Sequence, residues 1–416
     1  MAKPSKGIVK LRPAFSWEVP FEWFVLLLWG ALLSHQPAAV SSYLNGVGLG
    51  EAYYGQALHW FHSTAFTMDE VCLRWGRWLS SHSSIKTLKG QRVYAGDGIK
   101  VSKEGRKMPG IKGLHQESED VSKPEWIRGH YFSALSLLLG SGSALFAVPL
   151  GLKLHDGIEP VEADRGLTLV DKMAAVCVAF MVTGSYGPLD AYYASAKILK
   201  PFRAAGLHLI SRVPISTVGH AAFSANPSVR GPGRPRQWGS DVKLRALFAP
   251  IEQCTQATVW LYGQRQRVYY QCFEFYWDSP DTPVLFVLTQ LPNGKQIILL
   301  SSDTTLTGAQ VVEAYGWHIS MPLRATFANS GLTTPPCGVP CSGKSALTPA
   351  LRHRKIPSFK ELGAMSSSMM AECRILSKHF SISSSMTRLL IPFTREFRFK
   401  NRNFCASCAE RPGLNP

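Results

Sequence analysis

Two aspartates in this chain of 416 residues stand where carboxylates can act together. Asp97 follows Val93-Tyr94-Ala95 and lies between Gly96 and Gly98, and Asp190 follows Pro188-Leu189, downstream of the apolar run Met173 to Val182. Each reads as the end of a buried strand beside a turn. Acidic side chains at strand ends can converge on divalent ions while the strands stay buried. In-line phosphoryl transfer on a nucleic-acid backbone uses such convergence, with two Mg²⁺ (or Mn²⁺) ions roughly 3.5–4 Å apart clamping the attacking and leaving oxygens. The same placement suits an aspartate that caps the next helix, and either residue taken alone is accounted for in that way.

The elements that must carry these acids read as follows. Residues 1 to about 88 are rich in Trp, His and Leu, with helix-length stretches at Tyr53 to Trp60 and Met68 to Leu79. In the second, Val71, Trp75 and Trp78 recur at helical spacing, which makes them a core face, while Arg74 and Arg77 between them could meet DNA phosphates. Arg92 to Ala95 reads as a short strand leading into Asp97, and Met173 to Val182 as a buried strand leading toward Asp190. A helix is expected over Ala191 to Ala205 and a strand over Leu207 to Val213. Four further strands are expected at Thr258 to Leu261, Val268 to Trp277, Val284 to Gln290 and Gln296 to Leu300, the last two joined as a hairpin through Asn293-Gly294. Thr307 to Trp317 opens a helix. The loop Pro227 to Arg236 contains Gly-Arg-Pro-Arg, which by itself resembles a minor-groove AT-hook core, a tetrapeptide that also arises often by chance.

The formal net charge of +17 points to a polyanionic partner, either nucleic acid or lipid headgroups. Two apolar runs bear on the lipid reading. Phe21 to Leu33 is too short to span a bilayer and contains Glu22; Tyr131 to Leu152 is long enough, but its Gly-Ser-Gly-Ser centre suits two strands joined by a tight turn. The scattered cysteines Cys72, Cys177, Cys254 and Cys272 fit reduced thiols in a cytoplasm.

Beyond Trp317 the character changes. Residues 318–416 hold fourteen Lys and Arg against four Glu, five of the nine cysteines, clustered serines and no Asp. They lack sustained periodicity, as expected of a disordered basic tail or of a frame change near codon 318. Cys337-x₃-Cys341 and Cys405-x₂-Cys408 are too far apart to suggest one zinc site with force.

The stretch Tyr94 to Asp120, with Lys123-Pro124-Glu125-Trp126 after it, resembles the first-aspartate region of insertion-sequence transposases of the DDE (RNase H-like) superfamily. The branch is the one with a Tyr-Arg-Glu-Lys signature. Leu189 to Ala194 is similar to its second-aspartate motif, and Leu299 to Asp303 with Val311 to Trp317 to the strand and helix before the third acid. The resemblance, over roughly residues 20–317, implies an α/β fold: an RNase H-like mixed sheet with a helical N-terminal domain and an inserted β-rich subdomain. Its parts would be a DNA-binding region at 1–88, a catalytic domain at 89–317 with the insertion at about 214–300, and the atypical tail.

It further implies that Asp97 and Asp190 are catalytic, metal-binding acids for a two-metal Mg²⁺ (or Mn²⁺) site. The partner would be double-stranded DNA at transposon terminal inverted repeats, with a homodimer on paired ends, no membrane, and a cytoplasmic, nucleoid-associated location. The signature itself is broken. Counting from Tyr315, His318 stands at the Arg position, Pro322 at the Glu position and Asn329 at the Lys position. Asp303, Glu313 and Glu361 are the substitutes for the third acid that the sequence offers. The expectation is therefore a transposase with metal-dependent cleavage and strand transfer in its lineage, inactive for want of the third acid. The alternatives are a non-catalytic DNA-binding descendant and a basic membrane protein.

Overall fold

The computed structural model of the chain describes residues 7–36, 39–81, 84–103, 110–115, 125–141, 144–155, 166–223, 237–261, 264–279, 281–291 and 293–320. The Gly-Arg-Pro-Arg loop, Glu361, the C-terminal cysteine pairs and the tail from 321 onward lie outside these residues. The chain divides into two compact units, with the boundary between Val71 and Cys72.

The first unit is helical. Its elements are α1 (Glu18–Leu33), α2 (Val40–Gly46), α3 (Tyr54–Phe61) and the start of α4 (Met68–Leu79). Helix α1 is apolar around its circumference and is correspondingly buried, with Phe24, Leu27 and Leu28 almost without exposure. Glycine at position 30 lets α2 approach closely, since a Cβ there would overlap the Tyr43 carbonyl. The indole of Trp60 donates to the Pro20 carbonyl at 2.8 Å, which satisfies its one polar atom inside the core.

The second unit is a mixed α/β structure around one large sheet. In chain order it contains β1 (Thr87–Leu88), β2 (Gln91–Arg92), β3 (Tyr94–Ser102), β4 (Lys112–His115), β5 (Trp126–Ser141), β6 (Ala144–His155), α5 (Leu169–Phe180), β7 (Tyr186–Leu189), α6 (Ala196–Ala204) and β8 (His208–Val213). Six more strands follow: β9 (Val218–His220), β10 (Asp241–Lys243), β11 (Thr255–Leu261), β12 (Gln264–Tyr276), β13 (Pro283–Gln290) and β14 (Gln296–Ser301). Helix α7 (Gly308–Ser320) is last. The sheet order is β10-β9-β12-β13-β14-β8-β7-β3-β5-β4, with β11 on β12 and β6 on β5. Strand β3 pairs antiparallel with β5 and parallel with β7, and β7 pairs parallel with β8.

The run Tyr131 to Leu152 forms the antiparallel pair β5–β6, closing at Ser141 opposite Ala144. Among the described residues no helix is long and apolar enough to cross a membrane. The hairpin through Asn293-Gly294 joins β13 to β14, with Gly294 at φ 77° as that turn requires. In α4, Val71 and Trp75 are buried as the helical spacing demands, while Arg77 is exposed.

Two local expectations are corrected. Met173 to Val182 is not a strand; most of it lies in helix α5. Thr168 and Asp171 form a capping box at its start, and Met173, Ala174, Val176 and Cys177 are buried at helical spacing while Val178 is exposed. A short apolar run does not distinguish helix from strand, and here the cap and the alanines decide. Asp97 does not end its strand either. It is the fourth residue of β3, because the long partner β5 continues pairing as far as Ser102 opposite Gly129.

Candidate functional site

The two aspartates are brought to neighbouring positions by the parallel pair β3–β7. Gly96 is the register partner of Leu189, so Asp97, the next residue of β3, neighbours Asp190, the residue that follows the end of β7. Strands in a sheet lie about 4.8 Å apart. Asp97 is half-buried and Asp190 exposed, which leaves the pair open to solvent on one side. Both carboxylates are oriented locally: Oδ1 of Asp97 accepts from the Gly98 amide at 2.7 Å, and Oδ1 of Asp190 from the Ala191 amide at 2.7 Å. Asp190 thus caps the 3₁₀ turn Ala191–Tyr193. Capping does not use up a carboxylate, which has about four acceptor positions.

The end of β7 is fixed from β8. The buried Ser211 hydroxyl lies 3.0 Å from the carbonyl of Leu189 and 3.0 Å from that of Asp190. Position 98 is glycine for a visible reason: a Cβ there would overlap the hydroxyl of Tyr131 and come within 3.0 Å of that of Tyr193. Those two hydroxyls are hydrogen-bonded to one another at 3.0 Å in a buried setting. Burial pushes the Tyr193 phenol well above its ordinary range, and the neighbouring Tyr131 and the Asp97 carboxylate push it further. Gly96 is also tight, since a Cβ there would meet Leu189 and Met173. Because side chains alternate along a strand, Asp97 points to the face opposite Gly96 and Gly98.

Helix α7 reaches the same place through His318. This buried imidazole lies with Nε2 3.0 Å from the Gly96 carbonyl, which can only accept, so Nε2 carries the proton. Tyr315 stacks beside its ring, at 6.0 Å between centroids.

The other acids near the site in sequence do not join the pair. Asp303 accepts from the Tyr186 hydroxyl at 2.7 Å, at the start of β7, four residues before Asp190. Although burial acts to raise its pKa, bonds from Thr305 and Tyr186 hold this carboxyl below its usual value. Glu313 lies on α7 five residues before His318, about 140° around the helix axis from it. Among the described residues no group of three or more His, Cys, Asp or Glu could hold a metal ion.

Sequence reasoning did not single out Tyr131 or Ser211, and it met Tyr193 only inside the second-aspartate motif and His318 only as the residue at the Arg position of the signature. Tyr131, Ser211 and His318 reach the backbone around the two acids through contacts between residues distant in sequence. The one local hint was the pair of glycines flanking Asp97.

No family model matches the chain, and no curated protein matches it. Among solved structures it is similar to that of a piggyBac transposase synaptic complex with hairpin DNA, determined by cryo-EM. The identity is 11% and the TM-score 0.36, over 94% of this chain and 70% of that one.

Proposed function

We propose that the sheet is the RNase H-like core of a DNA transposase lineage, in which Asp97 and Asp190 are the first two metal-binding acids, and that this chain binds DNA but cuts it poorly. The observation that carries this reading is the strand arrangement. The central strand β3 has the antiparallel pair β5 and β6 on one side and the parallel strands β7 and β8 on the other. Helix α5 precedes β7 and α6 precedes β8. This order is the one that the RNase H-like reading calls for, with the first and fourth strands as neighbours. It supports a shared site for Asp97 and Asp190 in a way that neither residue's local sequence does.

The donor set fits one hard divalent ion. Mg²⁺ commonly takes one or two protein carboxylates and completes its octahedron with water and substrate phosphate, and a half-buried and an exposed aspartate at neighbouring positions would meet that need. When bound, such an ion supplies charge neutralisation and polarisation of a phosphate oxygen. Asp97 and Asp190 would hold it, the Gly98 and Ala191 amides would orient them, and Ser211 would keep the β7 end in register. A second ion needs a further carboxylate. Asp303 and Glu313 do not lie beside the pair, and Pro322, at the position where the resemblance expects the acid, is outside the described residues. Loss of that ligand is expected to lower the cleavage rate on the order of 10³-fold, about 4 kcal/mol of transition-state stabilisation.

Calorimetric titration with Mn²⁺ tests the site. The unaltered chain is expected to bind one ion, with affinity reduced at least ~10-fold in Asp97→Asn and in Asp190→Asn. Unchanged binding in both variants would remove the pair as ligands. Robust Mg²⁺-dependent nicking of cognate ends by the unaltered chain would overturn the poor-cutting part alone.

A further inference from the structure

Strands β11 and β12 extend the sheet beyond β13. Pairing of β12 with β13 begins at Tyr269, so residues 264–268 have only β11 as a partner. One face of this two-stranded ribbon is closed. Val259, Leu261 and Val268 are buried, and Gly316 of α7 is so near Leu261 that a Cβ would overlap it.

The opposite face is open and of different chemistry. Register pairs Trp260 with Arg265, Thr258 with Arg267, and Gln256 with Tyr269, and paired residues share a face. Both arginines, Thr258 and Gln256 are exposed, and Trp260 and Tyr269 are half-buried. None of the six carries a negative charge. The Arg265 guanidinium lies over the Trp260 ring, 5.7 Å from its centroid.

We propose that this face is a phosphate-contacting surface for duplex DNA, with Arg265 and Arg267 as its two anchoring cations. The proposal rests on the reading of the chain as DNA-binding, and adds a second contact region, on the inserted strands, separate from the Asp97–Asp190 pair. Two residues along a strand are about 6.8 Å apart, which lets the two guanidinium groups reach separate phosphates of one DNA strand. Stacking on Trp260 holds the Arg265 fork in place, so less side-chain freedom is lost when it binds phosphate. Arginine, with its planar array of donors, suits phosphate, and Thr258 and Gln256 add neutral donors beside it. Trp260, with one face taken by Arg265, serves as a support rather than as a base-stacking platform.

The test is binding of a fluorescent duplex to the full chain, by anisotropy, across a salt series. The double variant R265Q/R267Q is expected to bind on the order of 10-fold or more weakly at 100 mM salt, with the log–log salt slope reduced by about 1.8. T258E sets a carboxylate opposite Arg267 without removing either arginine and should lower the slope by about 1. The conservative R265K/R267K keeps both charges and should keep most of the slope. If the unaltered chain binds DNA and the glutamine and glutamate variants keep its affinity and slope, this surface serves another partner, such as an acidic protein, and the proposal fails alone. If the unaltered chain shows no salt-dependent DNA binding, the functional reading fails and takes the proposal with it.

Discussion

Substituting Gly98 by alanine probes the packing that supports Asp97. The new methyl group would overlap the Tyr131 hydroxyl and lie within 2.5 Å of the ring carbon that bears it. Tyr131 is 5% exposed and Tyr193 1%, so neither ring has an open path by which to yield. Overpacking of a well-filled site costs about 1–3 kcal/mol. Separating the Tyr131 and Tyr193 hydroxyls while both stay buried adds about 1–3 kcal/mol. Gly98→Ala should therefore destabilise the fold by about 3 kcal/mol, measured as the shift in urea unfolding at neutral pH. Removing the phenol relieves the conflict. Tyr131→Leu alone should cost about 2–3 kcal/mol through the space it leaves. The double variant should be no less stable than Tyr131→Leu to within about 1 kcal/mol, since the alanine methyl refills part of that space. The resulting coupling energy, about 2–3 kcal/mol, is the quantity to measure. An alanine variant within about 0.5 kcal/mol of the unaltered chain, or two penalties that simply add, would refute the argument.

His318→Ala should cost about 2 kcal/mol in urea unfolding, because the Gly96 carbonyl loses its buried donor; an unchanged midpoint would mean that the α7 contact carries no stability. Asp171→Ala removes the capping box at the start of α5 and should cost about 1 kcal/mol near pH 7. Burial acts to raise the Asp171 carboxyl, yet bonds from Thr168 and Lys197 hold it down at about 2. Its contribution is thus complete above the unfolded value of about 3.9 and is lost as pH falls toward 2, so the two unfolding curves should converge there; a gap independent of pH would refute the ionic part.

The sequence by itself determined the elements whose cues are local. Strand-length apolar runs on either side of Gly-Ser-Gly-Ser yielded β5 and β6, Asn293-Gly294 yielded the β13–β14 hairpin, and helical spacing yielded α4 with Trp75 inward. It also singled out Asp97 and Asp190 by their glycine and proline neighbours. It misread Met173 to Val182, because an apolar run buried in a packed unit is compatible with both periods, and the choice lay with a cap just upstream. It placed Asp97 at a strand end because glycines read as turn, whereas these glycines are strand residues kept small by Leu189, Met173 and the Tyr131 hydroxyl across space. Only the tertiary structure decided that Gly96 lies opposite Leu189, that Asp303 is engaged at the far end of β7, and that His318 reaches back to β3 over 222 residues of sequence. The physical reason is that register and packing are set by partners distant along the chain, and no local periodicity carries that information.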